Sequence, residues 1–99
     1  MKSNTIKLID DFCKFIVKEN KNLKVDSQTS HWYLKFNNPK ITSNPAMIKI
    51  YFSGDEFVID NYKDYFKFTE FKEFKNKTIE IIESEDFNAK LKILKSFCK

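Results

Sequence analysis

Residues 46–61, AMIKIYFSGDEFVIDN, set two runs of β-branched and aromatic residues on either side of Gly54, the one glycine in the chain. Glycine takes positive φ at no steric cost, so Gly54 and Asp55 suit a two-residue hairpin loop. With those two as the loop, Ser53 faces Glu56, Phe52 faces Phe57, Tyr51 faces Val58, Ile50 faces Ile59 and Lys49 faces Asp60. Ile48, Ile50, Phe52, Phe57 and Ile59 then share one face, and Met47, Lys49, Tyr51, Val58 and Asp60 the other. This register opposes Lys49 to Asp60 and sets no like charges against each other. A slip of one residue would turn the apolar set to the wrong side.

Upstream of the hairpin, residues 37–45, NNPKITSNP, read as a loop with two prolines and three asparagines. Before it, residues 31–36 alternate: Trp32, Leu34 and Phe36 on one side, His31, Tyr33 and Lys35 on the other, the pattern of a half-buried strand. The simplest sheet is a three-stranded antiparallel meander. Residues 23–26 add a short extended piece, followed by a polar turn over 27–30. Residues 4–20 form a first helix, capped by Ser3, Asn4 or Thr5 and ended by Asn20-Lys21-Asn22. Thr5, Ile9, Phe12, Cys13 and Ile16 fall on one helical stripe. Ile6, Leu8, Phe15 and Val17 carry the apolar surface well past it, so the helix is expected to be covered on more than one side.

Downstream, residues 62–68 either extend the sheet or start a helix. Thr69 is the expected N-cap of a helix with Phe71, Phe74, Thr78 and Ile82 on one stripe and Glu70 and Glu73 in its first turn. Residues 84–86 break the pattern, and Asp86 is the expected cap of a last helix carrying Phe87, Leu91, Leu94 and Cys98. The expected fold is therefore α+β over residues 1–99 as a single domain. It has an N-terminal helix, a three-stranded antiparallel sheet built on the 46–61 hairpin, and two C-terminal helices.

Composition narrows the function classes. Eleven Phe, four Tyr and one Trp among 99 residues, with two alanines and one glycine, describe a bulky core rather than a disordered chain. All eighteen basic residues are lysine. Without arginine there is no bidentate reader of guanine or phosphate and no arginine finger. The net charge of +4 is uneven, with eight Lys against four acids in residues 1–40, a weak pull toward an acidic partner. No stretch is long and apolar enough to span a bilayer, and Asp10 and Asp11 interrupt what a signal peptide would need to keep apolar. A cytoplasmic location follows as the expectation. Cys13 and Cys98 fit it as small buried thiols, unbridged in a reducing compartment.

No catalytic constellation stands out. His31 is the one histidine and pairs with no Ser or Cys motif, and one glycine leaves no phosphate-cradling loop. Two cysteines and one histidine make no zinc pattern. Glu80, Glu83, Glu85 and Asp86 lack the calcium-loop spacing and read as a solvated helix end. No enzyme activity, cofactor or metal is expected. The non-core face of the sheet is the candidate binding face: His31, Tyr33, Lys35, Met47, Lys49 and Tyr51. Short glycine-poor chains without chemistry are commonly binding proteins. The first expectation is therefore a small inhibitor or adaptor, of the kind phages and mobile elements encode against host defence complexes, that occludes a protein or nucleoprotein partner. The alternative is low-specificity binding of single-stranded nucleic acid, with tyrosines stacking bases and lysines on phosphates. Homodimerisation through the surplus apolar surface of the first helix is a further expectation.

Overall fold

The computed structural model of the protein describes residues 3–38, 40 and 45–97. One helix, α1 (Ser3–Glu19), precedes five strands: β1 (Leu23–Ser27), β2 (His31–Phe36), β3 (Ala46–Ser53), β4 (Glu56–Asp60) and β5 (Tyr65–Phe68). Two helices follow, α2 (Phe71–Glu83) and α3 (Glu85–Ser96). The strands form one antiparallel meander in the order β1-β2-β3-β4-β5. The class is α+β, but the sheet has five strands where three were expected. The two additional strands are its edges. With one neighbour each, they need fewer apolar residues than the central strands, and β1 has only Leu23 and Val25 to show.

The central hairpin adopts the register read from its alternation, with all five pairs from Lys49/Asp60 to Ser53/Glu56 in place. Gly54 takes φ +62 as the first loop residue, the position where a type II′ turn requires glycine. One irregularity corrects the reading of β3. Leu34 pairs with Ile48 but Lys35 pairs with Ala46, so Met47 is the extra residue of a β-bulge. The bulge rotates Met47 to the helix side, where it is buried in the core cluster beside α2 and α3. Met47 is therefore not part of the expected Tyr/Lys face.

All three helices cover the same side of the sheet. α1 packs on β1 and β2, α2 on β4 and β5, and α3 on α2. Ile9, Phe12, Cys13 and Ile16 of α1 are buried against Trp32, Leu34, Ile48, Ile50 and Ile59. Phe12, Phe57, Phe71 and Phe74 form a ring cluster with centroids 5.2–6.2 Å apart. Asp10 ties α1 to the sheet: its Oδ1 accepts from the Trp32 indole and the Ser27 hydroxyl, each at 3.3 Å, and Lys14 pairs with its Oδ2 at 2.8 Å. These contacts, Lys14 first, hold its carboxyl below the ordinary range.

The caps differ from those expected. Thr69 is not the N-cap of α2; Glu70 occupies that position and makes no side-chain cap bond. α3 is capped by Ser84, two residues before Asp86, with Ser84 Oγ accepting from Phe87 N at 3.2 Å. The 78–82 run, rich in β-branched residues, is helical because Phe74, Thr78, Ile81 and Ile82 are buried at helical spacing on one face, and the buried Thr78 hydroxyl finds its partner in the Phe74 carbonyl at 2.9 Å. Cys98 and most of the 37–45 loop lie outside the described residues.

Cys13 is fully buried, and burial, with Asp10 nearby, pushes its thiol up to about 12. Since the thiolate is the nucleophile, Cys13 is expected to resist alkylation in the native protein near pH 8 and to react fully once unfolded. Peptide mass spectrometry reads the site directly; native labelling of Cys13 at the rate of a free thiol would contradict the burial.

Candidate binding surface

The side of the sheet away from the helices is built from two cross-strand rows, flanked by the Lys24/Lys35 pair of β1 and β2. Asp26, Tyr33, Lys49, Asp60 and Tyr65 are successive partners across all five strands. His31, Tyr51, Val58 and Lys67 form the neighbouring row. Partners in such a row point to the same face, so the row assignments fix the surface. Five of the six expected site residues, His31, Tyr33, Lys35, Lys49 and Tyr51, come together here; Met47 does not.

The aromatic rings are half-buried by one another rather than covered by any helix. His31 stacks on Tyr33 at 6.4 Å and 17°, and lies 5.3 Å from the Tyr51 ring. Lys49 Nζ sits 6.0 Å from the Tyr33 centroid and 5.3 Å from that of Tyr51, and Lys35 Nζ is 5.9 Å from Tyr33. At those distances the ammonium groups interact with the ring faces. Lys35 also pairs with Asp26 Oδ2 at 2.7 Å, the main reason the Asp26 carboxyl titrates below its ordinary value. Val58 is buried in the floor of this face, outside the main core cluster.

Sequence reasoning missed three contributors. Tyr65 and Lys67 of β5 stand on this face while Phe66 and Phe68 turn to the core. The signal was present: YFKF alternates with period two. Tyr62 enters from the β4–β5 turn with φ 70, a left-handed backbone legible from no local pattern. Its N–H donates to Asp60 Oδ1 at 2.8 Å, and Asn61 Oδ1 accepts from Lys63 and Asp64 to close the turn. Partial burial raises the Tyr62 hydroxyl pKa, with Tyr33 and Asp60 adding to the rise and Lys35 opposing it. The ring therefore lies among the residues of this face.

All four tyrosines and the one histidine thus share the helix-free side, while Phe52, Phe57, Phe66 and Phe68 of the same strands turn to the helices. Phenylalanine buries without need of a partner, whereas tyrosine keeps a polar end for water or a ligand. Charge on the face is mixed: Lys24, Lys35, Lys49 and Lys67 are interspersed with Asp26, Glu56 and Asp60.

A second surface lies on the helical side. Leu8 and Phe15 of α1, 45% and 52% exposed, line an apolar groove of about 410 Å³ with Phe71 and Ile79 of α2. The surplus apolar surface of α1 is therefore only partly covered. Among the described residues, no group of three or more His, Cys, Asp or Glu side chains could hold a metal ion, and no helix is long and apolar enough to cross a membrane. No family model, curated protein or solved structure matches this chain.

Proposed function

We propose that this protein is a non-enzymatic binding protein, an inhibitor or adaptor that occludes part of a larger protein or nucleoprotein, and that it docks through the helix-free face of its sheet. The observation that carries the reading is the sorting of every tyrosine to that face. Tyrosine provides large contact area, loses little side-chain entropy and anchors interfaces out of proportion to its number. Apart from Tyr62, which enters from the β4–β5 turn, the residues of the face stand on paired strands rather than loops, so their spacing is fixed by the sheet.

The mixed charge selects the partner class. A surface that tracks a phosphate backbone needs an uninterrupted basic field, because its affinity comes from neutralising phosphates. Here Asp26, Glu56 and Asp60 break that field, and a partner surface carrying both signs of charge complements it better. Single-stranded nucleic acid is the second reading, favoured by one feature alone: Lys49 lies between Tyr33 and Tyr51, as in a stacking platform.

Capture from source-cell extract tests both. Wild-type chain is expected to retain a protein at near-stoichiometric level, with or without nuclease, and the Tyr33→Ala/Tyr51→Ala chain to lose it. Retention lost in Phe15→Asp instead would move the interface to the α1/α2 groove. No protein partner, together with retention of single-stranded oligonucleotide that falls steeply with salt, would replace the first reading by the second.

A further inference from the structure

We propose that the free edge of β1 is a self-association site, through which two copies pair antiparallel about Val25 into one continuous sheet with five strands from each. β1 is the outermost strand, hydrogen-bonded on one side to β2. Its outward groups follow from the ladder. Gln28 N donates to the His31 carbonyl and Asn37 N to the Asn22 carbonyl, each at 2.7 Å. Antiparallel pairs alternate between bonded and non-bonded, so Lys24 and Asp26 bond inward to β2 while Leu23, Val25 and Ser27 present their backbone outward. The Leu23 N–H is taken by the Asn20 carbonyl at 3.0 Å, which leaves the Leu23 carbonyl and both groups of Val25 and Ser27.

A dyad at Val25 uses those groups. Val25 exchanges two hydrogen bonds with Val25 of the second copy, and each Ser27 N–H donates to the Leu23 carbonyl opposite. On the helix-free face the same register sets Lys24 against Asp26 of the second copy, and Asp26 against Lys24. Both fall in non-bonded pairs, where side chains approach most closely. Asp26 Oδ2 holds Lys35 at 2.7 Å and its Oδ1 accepts from Gln28 Nε2 at 3.0 Å; each carboxylate oxygen accepts more than one hydrogen bond, so acceptor capacity remains for this contact. Centring instead on Lys24 or Asp26 would oppose like charges and use backbone groups already bonded to β2. Any register between residues would set core-side against open-side residues.

The other edge is a built-in comparison. Asn61 N donates to the Asp64 carbonyl, which by the same alternation turns Tyr65 and Lys67 of β5 outward. The symmetric pairing with most overlap there is centred on Lys67 and opposes it to itself, a lysine block of the kind that protects edge strands. β1 has no proline, bulge or self-opposed charge. Pairing through it would join the two tyrosine faces into one surface, but it rests on the edge geometry alone and holds whatever that surface binds.

Sedimentation velocity over a concentration series tests the site. Wild-type protein is expected to reach twice the monomer mass at the upper end. Val25→Pro removes an N–H that β2 does not use and should leave a folded monomer. Lys24→Asp, which opposes two acids at each end of the dyad, should also leave a monomer, and Lys24→Asp/Asp26→Lys should restore the dimer. Wild type that stays monomeric at hundreds of micromolar overturns the proposal. So does a wild-type dimer that persists in Lys24→Asp, a variant that remains informative even if Val25→Pro fails to fold.

Discussion

Phe74→Ala is expected to cost about 3–5 kcal/mol, the range for truncating a buried aromatic. Phe74 has no exposed surface, and its ring lies 5.2–5.8 Å from those of Phe12, Phe57 and Phe71, which belong to α1, β4 and α2. These three elements meet nowhere else through so many rings, so the cavity would open at their junction and close poorly. Small domains hold about 5–15 kcal/mol in total, and the variant would keep little margin. Urea unfolding monitored at Trp32 gives the number, with an unchanged slope and a lowered midpoint expected. Phe97→Ala is the control: at 78% exposure it should fall within about 0.5 kcal/mol of wild type. Equal effects at the two positions would mean that the aromatic junction does not organise the core.

Tyr33→Ala and Tyr51→Ala are expected to separate binding from folding. Each ring is half-buried in cross-strand contacts worth about 0.2–1 kcal/mol, so each variant should fold. Against the captured partner, each should lose about 2 kcal/mol or more, roughly thirty-fold in Kd, because both stand in adjoining rows at the middle of the face. Tyr65, 66% exposed on the edge strand, belongs to the rim, and Tyr65→Ala should cost well under 1 kcal/mol. Isothermal titration of the four proteins orders them. A flat series with Kd unchanged at all three positions would place the contact elsewhere on the molecule.

The elements legible in the sequence were those whose pattern is enforced on both sides. The hairpin was readable because one glycine, two alternating runs and one opposite-charge pair agree on a single register. α1 was readable from Ile9, Phe12, Cys13 and Ile16, all now buried. Two features were hidden for different reasons. β1 and β5 are short edges, read only as an extended piece over 23–26 and as strand or helix over 62–68, because four or five residues give alternation too little length to add them to the sheet. The bulge at Met47 depends on how β3 meets β2, a tertiary pairing that strict alternation within β3 contradicts. One hidden bulge was enough to put a core methionine on the candidate face. The rest of that face survived because Tyr33, Lys49 and Tyr51 lie on the regular side of the break, and Lys35, past it, stands on β2, the strand without the extra residue, where its alternation with Tyr33 continues. Ser84 prevailed over Asp86 as the α3 cap because the chain leaves α2 at Ser84, whose N–H still bonds to the Ile81 carbonyl at 3.1 Å.

Fluorine NMR of protein labelled with 3-fluorotyrosine gives the most direct test of the docking face, since its four tyrosines all lie there and none lies elsewhere. Addition of the captured partner is expected to shift or broaden the Tyr33 and Tyr51 resonances most, with smaller changes at Tyr62 and Tyr65. Four unchanged resonances in a sample where co-elution proves the complex has formed would contradict a tyrosine docking face outright.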